Sequence, residues 1–158
     1  MYYQDFYQSP LGEIRLLTDE NGLCGLYFVG QKYDLRGFEK EEIFLQETAS
    51  IVAAKVWLQA YFAGQDLPEV TLSIHGTDFQ KKVWACLRRI PAGRTLTYGQ
   101  LAEELSCKSA QAIGGAVGKN PLSLIIPCHR VLGADGALTG YAGGVERKAW
   151  LLEHEKRS

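Results

Sequence analysis

One helix-start signal occurs twice in this chain, and it constrains the fold more than any other feature. Thr77-Asp78-Phe79-Gln80 and Thr97-Tyr98-Gly99-Gln100 each place a threonine three residues ahead of a glutamine. In such a capping box the hydroxyl accepts a bond from the third helical N–H. The glutamine reaches back to the threonine's own N–H. The first box opens a helix predicted to bury Phe79, Val83, Trp84, Leu87 and Ile90 along one face, stopped by Pro91-Ala92-Gly93. The second opens a short helix through Leu105. After Ser106-Cys107-Lys108, a third helix is expected from about Ser109 to Gly118. Two short helices joined by a tight turn read as a helix-turn-helix whose second helix faces DNA, although any helical hairpin gives the same pattern. The third helix is small-sided, with Ala110, Ala112, Gly114, Gly115, Ala116 and Gly118. Glycine weakens a helix by about 1 kcal/mol relative to alanine, so such a sequence suits a close approach. The partner is either another helix or a DNA groove.

The part before Gly76 reads differently. Residues 2–30 look like a β-meander, with Asn21-Gly22 as a hairpin signal between two apolar runs. Residues 31–40 are polar and read as loop. From about Glu41 to Phe62 a helix is predicted, with Phe44, Thr48, Ile51, Val52, Val56 and Tyr61 near one side, ended by Gly64. Val70-Thr71-Leu72-Ser73-Ile74 alternates like a further strand. This half carries no recognisable catalytic set and reads as a small α/β scaffold. Charge divides the chain at the same place. Residues 1–74 hold 5 Lys+Arg against 11 Asp+Glu, net −6, and residues 75–158 hold 12 against 7, net +5. We expect two units, 1–74 and 75–158, the basic one facing a polyanion.

A chain of 158 residues is long enough to bury a core without staples. Its first residues lack the basic and apolar regions of a signal peptide, and no apolar run approaches a membrane span. The four cysteines, at 24, 86, 107 and 128, show no CxxC pairing, so a reduced, cytoplasmic chain is expected. Cys24, His75, Cys86 and His154 are scattered in sequence, and no cluster has metal-ligand spacing.

The stretch richest in chemistry is Pro127-Cys128-His129-Arg130-Val131. The apolar run Leu124-Ile125-Ile126 before it predicts a buried strand, which Pro127 ends. Cys128 is then expected at the strand's end. Thiol chemistry needs thiolate, which a neighbouring cation, histidine or helix N-terminus favours. Asn120-Pro121 precedes this stretch. Thr139-Gly140-Tyr141-Ala142-Gly143-Gly144 follows it, as a flexible loop able to admit a flat ligand. A last helix is predicted over Val145 to Glu155.

Taken together, these motifs resemble the O6-alkylguanine-DNA alkyltransferase family, closely from about Gly76 to Glu155 and weakly before. The resemblance implies a mixed α+β/α/β chain. Its N-terminal domain would be a small α/β (ribonuclease-H-like) one, and its C-terminal domain a helical, winged helix-turn-helix-like one for DNA binding and alkyl transfer. It implies direct DNA repair: an alkyl group passes once, without turnover or cofactor, from O6-alkylguanine, and from O4-alkylthymine, to Cys128. His129 matches the family's general base, linked through water to the thiol. Glu155 matches the carboxylate that orients the histidine. Tyr98 matches a tyrosine that hydrogen-bonds N3 of the flipped base, and Asn120 the asparagine that holds the turn into the active site. Val131, Tyr141, Ala142 and Val117 are the implied substrate contacts, Val131 through its carbonyl and Ala142 through its N–H. Gln111, Ala110, Ala112, Gly114 and Arg130 are the implied DNA contacts. The implied partner is duplex DNA bearing alkylated guanine, met by a monomer in the cytoplasm, or at the nucleoid if the source is bacterial. No metal is implied by the residues present.

Two positions depart from the family pattern. The recognition helix usually carries arginine where Gln111 stands, and the turn before it often has glycine where Ser106 stands. A lesion sensor that binds alkylguanine without repairing it is an alternative reading, which Cys128 disfavours. A Cys-His hydrolase would need an oxyanion hole and a peptide cleft, and nothing marks either.

Overall fold

The computed structural model describes residues 1–157. The chain forms two compact units, Met1–His75 and a second that starts at Gly76.

In the first unit, β1 (Tyr2–Ser9), β2 (Gly12–Thr18), β3 (Leu23–Phe28) and β4 (Ile43–Leu45) form one sheet in the order β3-β2-β1-β4. The first three strands pair antiparallel, and β4 joins β1 in parallel. Asp19 closes the β2–β3 turn: its carboxylate accepts from the N–H groups of Asn21 and Gly22. Helix α1 (Ala49–Ala63) packs on this sheet and buries Ile51, Ala54, Trp57, Leu58 and Tyr61. Thr48 caps its start. Gly64, at φ 70°, ends it in the left-handed conformation that glycine adopts without strain.

Three expectations for this unit need correction. The helix starts at Ala49 rather than near Glu41, because residues 43–45 pair with β1 as an edge strand. Val52 and Val56 lie on the helix's exposed side. Residues 70–74 make only a single bridge, Leu23 to Leu72, instead of a strand.

Among the described residues the second unit holds four α-helices: α2 (Asp78–Arg88), α3 (Tyr98–Glu104), α4 (Ala110–Gly118) and α5 (Val145–Lys156). Both capping boxes form as predicted, Thr77 with Gln80 and Thr97 with Gln100. Helix α2 packs on α4, where the Trp84 indole N–H donates to the Ala116 carbonyl at 2.8 Å. Phe79, predicted to be buried, is 38% exposed. The α3–α4 turn passes through Ser106 at φ 51°. That left-handed backbone strains any residue with a Cβ, which accounts physically for glycine being frequent at this place. A two-stranded parallel sheet joins β5 (Leu96–Thr97) to β6 (Val131–Leu132), a pairing the sequence did not announce. Among the described residues no helix is long and apolar enough to cross a membrane.

Candidate active site

The predicted strand before Cys128 does not form. Leu122, Leu124 and Ile126 are buried, but the segment folds as a compact turn, with Leu124 at φ 73° and a local Ser123–Ile126 bridge. Asn120 holds this turn from inside. Its amide N–H donates to the Ile126 carbonyl at 2.7 Å, and its oxygen accepts from the Leu122 N–H at 2.9 Å. Pro127 ends the turn, and Cys128, His129 and Arg130 form one turn of 3-10 helix, all three buried. β6 follows at once, tying the far side of the turn to β5. The thiol is thus clamped from both sides in sequence.

Helix α5 supplies the carboxylate. His129 Nε2 lies 2.6 Å from Glu155 Oε2, and Arg130 donates to both Glu155 oxygens at 2.8 and 2.9 Å. Arg130 also donates to the Ile90 carbonyl at 2.7 Å. This corrects one sequence expectation. Arg130, assigned above to DNA contact, is buried inside the unit and holds Glu155. Burial would raise the Glu155 carboxyl, but the His129 and Arg130 bonds together hold it well below the usual carboxylate range. A carboxylate acceptor requires the proton on His129 Nε2, which leaves the Nδ1 lone pair free. Nδ1 is buried and has no partner among the described residues. Burial pushes the imidazole pKa down despite Glu155, so the ring is neutral at physiological pH.

Burial raises the Cys128 thiol, while the Asn120 side chain and the Lys148 charge pull it down. Tyr98 stands half-buried on α3; burial, then the Cys128 charge, raises its phenol. Tyr141 is buried and pushed well above its ordinary value, so both tyrosines are neutral hydroxyl donors. Val131 is fully buried, Val117 lies on the inner side of α4, and Ala142 is partly exposed beside Tyr141. On α4, Ala110, Gln111 and Ala112 face outward. A Cβ placed on Gly114 or Gly115 would meet nothing within 4 Å. Among the described residues the space beside those two glycines is open.

The sequence reading missed Lys148. It is 0% exposed, and its ammonium donates to the carbonyls of Val131 and, at 2.8 Å, Thr139. A signal was present: Lys148, Leu151 and Glu155 recur at helical spacing, so two charges share the buried stripe of α5.

Tertiary structure also joins residues read as scattered. In the first unit Asp19, Cys24 and His75 offer donor atoms within 4.8 Å of one another. They fit a metal poorly. A closed zinc site takes four ligands and a deprotonated thiol. Burial, then the Asp19 charge, pushes Cys24 up to about 12. Asp19 is already engaged by Ser73 at 2.6 Å and His75 at 2.7 Å.

The fold and site define a protein that places a Cys-His-Glu series in the same unit as a helix pair with an open second helix. Residues 1–75 match the ribonuclease-like domain of 6-O-methylguanine DNA methyltransferase, and residues 78–157 match its DNA binding domain. A methylated-DNA–protein-cysteine methyltransferase of Methanosarcina acetivorans is 42% identical, with 98% of each chain covered. One from Mycobacterium tuberculosis is 41% identical over 94% of this chain and 88% of its own. The crystal structure of the Mycobacterium tuberculosis O6-methylguanine methyltransferase superposes with a TM-score of 0.86 at 39% identity, covering 99% of this chain and 94% of that one. A structure of the mycobacterial protein in complex with DNA gives 0.85 at 38% identity, covering 99% and 92%. The chain belongs to the 6-O-methylguanine DNA methyltransferase family.

Proposed function

We infer that this protein repairs DNA by moving the alkyl group of O6-alkylguanine onto Cys128, once per chain. The single observation that carries the reading is the buried series Cys128, His129 and Glu155, with Nε2 of the imidazole bonded to Glu155 at 2.6 Å and Nδ1 left unpartnered. Nδ1 takes the thiol proton through a water. The thiolate attacks the alkyl carbon; the S–C bond forms as the C–O6 bond breaks, and its electron pair leaves on guanine. Tyr98 donates toward N3 as that charge develops, which lowers the barrier. The guanine takes up one proton, so atoms and charge balance. The S-alkyl bond is not hydrolysed, hence the single event. The target atom lies inside the duplex stack, so the base is flipped into a pocket bounded by Tyr98, Val131, Tyr141 and Ala142.

DNA meets the second unit along α4, where Ala110, Gln111, Ala112 and Gly114 leave an open face. Arg130 and Lys148 add nothing to the outward charge, since both are buried. The protein acts as a monomer without cofactor. Mixing it with a duplex carrying O6-methylguanine tests the reading: intact mass should rise by one methylene per chain, located on Cys128. A mass that stays constant while the duplex is bound would favour a lesion sensor.

Gln111 stands where the family carries arginine. Flipping costs a few kcal/mol of unstacking and unpairing. A planar, always charged guanidinium fills the vacated stack better than a short neutral amide. Gln111→Arg should therefore speed repair of duplex O6-methylguanine and tighten DNA binding. Reaction with free O6-benzylguanine, which needs no flipping, should barely change. Equal effects on both substrates in a single-turnover assay would remove Gln111 from the vacated base position.

Gly140 fixes the pocket's width. Its φ is 71°, and a Cβ there would lie 2.8 Å from the Tyr98 hydroxyl. Gly140→Ala adds left-handed strain of about 1–2 kcal/mol and drives the loop or Tyr98 out of place. The rate with free O6-benzylguanine should fall about 10-fold or more, the scale of a misplaced reacting group. A wild-type rate would show that the loop yields without cost.

A further inference from the structure

Helix α2 carries an arc of charge that neither its packing nor the alkyl transfer uses. Its buried residues are Val83, Trp84, Cys86 and Leu87. At about 100° per residue, Lys81, Lys82, Ala85, Arg88 and Arg89 fall together on the opposite side, and all five are exposed. Lys81-Lys82 and Arg88-Arg89 are seven residues apart, so two basic pairs stand about 10 Å apart along the helix. Among the described residues none of these four cations joins an ion pair. The acid on α2, Asp78, sits in the first turn, where it complements the helix N-terminus. Glu104 shares a cleft with Arg89 but accepts from the Cys86 thiol at 3.1 Å. Helix α5, by contrast, interleaves both signs and pairs Arg157 with Glu153. Of the 12 Lys+Arg in residues 75–158, α4 carries none, Arg130 and Lys148 are buried, and these four stand on α2.

We propose that the outward face of α2 is a second DNA-binding surface, where Lys81, Lys82, Arg88 and Arg89 hold the phosphate backbone of a duplex segment other than the one on α4. The two helices meet where Trp84 donates to the Ala116 carbonyl. Gln111 lies on the side of α4 away from Ala116, and the basic arc on the side of α2 away from its buried residues. A duplex laid on the outward face of α4 thus does not cover the arc. A row of fixed cations with no acid among them suits a polyanion, and phosphate contacts of this kind are blind to sequence. Ala85, between the two basic pairs, is small enough to let a backbone come close. A chain that holds two segments passes from one to the other without first letting go, which serves a search for a rare base. The inference adds a site to the reading that α4 meets DNA and does not depend on alkyl transfer.

The full chain is mixed with two short undamaged duplexes, one carrying a donor dye and the other an acceptor. Wild-type protein should bring the dyes together, in a complex that sediments as one chain with two duplexes. Energy transfer should fall as salt rises, with a log–log slope of about −3.6 for the second association, four contacts at about −0.9 each. A chain bearing Lys81→Gln, Lys82→Gln, Arg88→Gln and Arg89→Gln together should lose the transfer. It should keep its affinity for a single duplex and its rate with free O6-benzylguanine. Glutamine preserves helix propensity at these exposed positions. Should the fourfold variant not fold, the Lys81→Gln/Lys82→Gln and Arg88→Gln/Arg89→Gln pairs carry the test, each halving the slope. Four results would overturn the proposal: no energy transfer where wild type binds a single duplex, transfer that persists in the variants, or a complex of two chains with two duplexes. The fourth is a variant with weakened single-duplex binding and a flatter slope, which would lay the arc along the same duplex as α4. Failure of wild type to react with free O6-benzylguanine would refute the alkyl-transfer reading and leave this surface to be judged by the bridging result.

Discussion

Cys128→Ser will abolish alkyl transfer to the protein and leave duplex binding in place. A serine hydroxyl is a weak nucleophile at its own pKa, which lies far above a thiol's, so a neutral imidazole acting through water leaves it un-ionised before attack. Two of the other thiols are poorly placed to react. Cys24 is fully buried in the first unit and pushed up to about 12. Cys86 is raised by burial and donates its proton to Glu104 at 3.1 Å. The substitution puts a hydroxyl into a nearly closed site, at a cost of about 1–3 kcal/mol, so a denaturant melt should accompany it. Peptide mapping of the alkylated wild-type chain completes the test. Label on Cys24, Cys86 or Cys107 would sink the assignment, and so would residual transfer in the serine variant.

Glu155→Gln is expected to damage stability and chemistry together. The carboxylate holds His129 and Arg130 at once, all three side chains buried. Removing its charge leaves the Arg130 guanidinium buried without an anion, which costs about 3–5 kcal/mol. The amide also no longer demands a proton on Nε2, so the Nδ1 lone pair is lost from part of the population. General-base assistance is worth about 10²–10⁴-fold, and the alkylation rate should drop by a share of that. Acid distinguishes the two roles. The folded carboxyl lies below its ordinary value of 4.5, so its stabilisation is complete above that pH and fades as pH falls further. The stability gap between wild type and Glu155→Gln should therefore close in acid. A constant gap from neutral to strongly acidic pH would mean that the ionised carboxylate is not what stabilises the unit.

The local code was legible where physics is local. Capping boxes at Thr77 and Thr97, the glycine that ends α1 and the Asn21-Gly22 turn all form, because each depends on groups within a few residues. The edge strand β4, the β5–β6 pair and the turn before Cys128 escaped the sequence reading. The strand pairings follow from partners remote in the chain, of which propensity carries no record, and the turn at Leu124 takes a left-handed backbone that an apolar run does not signal. The nucleophile and its histidine stood adjacent in sequence, and Glu155 entered through family likeness. What Arg130 does was decided only by tertiary structure. As a residue type it suits phosphate, yet α5 delivers Glu155 against it and turns it inward. Lys148 was likewise hidden in plain composition. A lysine on a helix is ordinarily solvated, and only the meeting of α5 with the Val131 and Thr139 carbonyls makes its burial tolerable. The sequence by itself therefore determined the starts of α2 and α3, the small side chains of α4 and the adjacency of Cys128 and His129. Tertiary structure decided which charges are buried and what each one holds, because burial and pairing are properties of neighbours that the chain brings together only on folding.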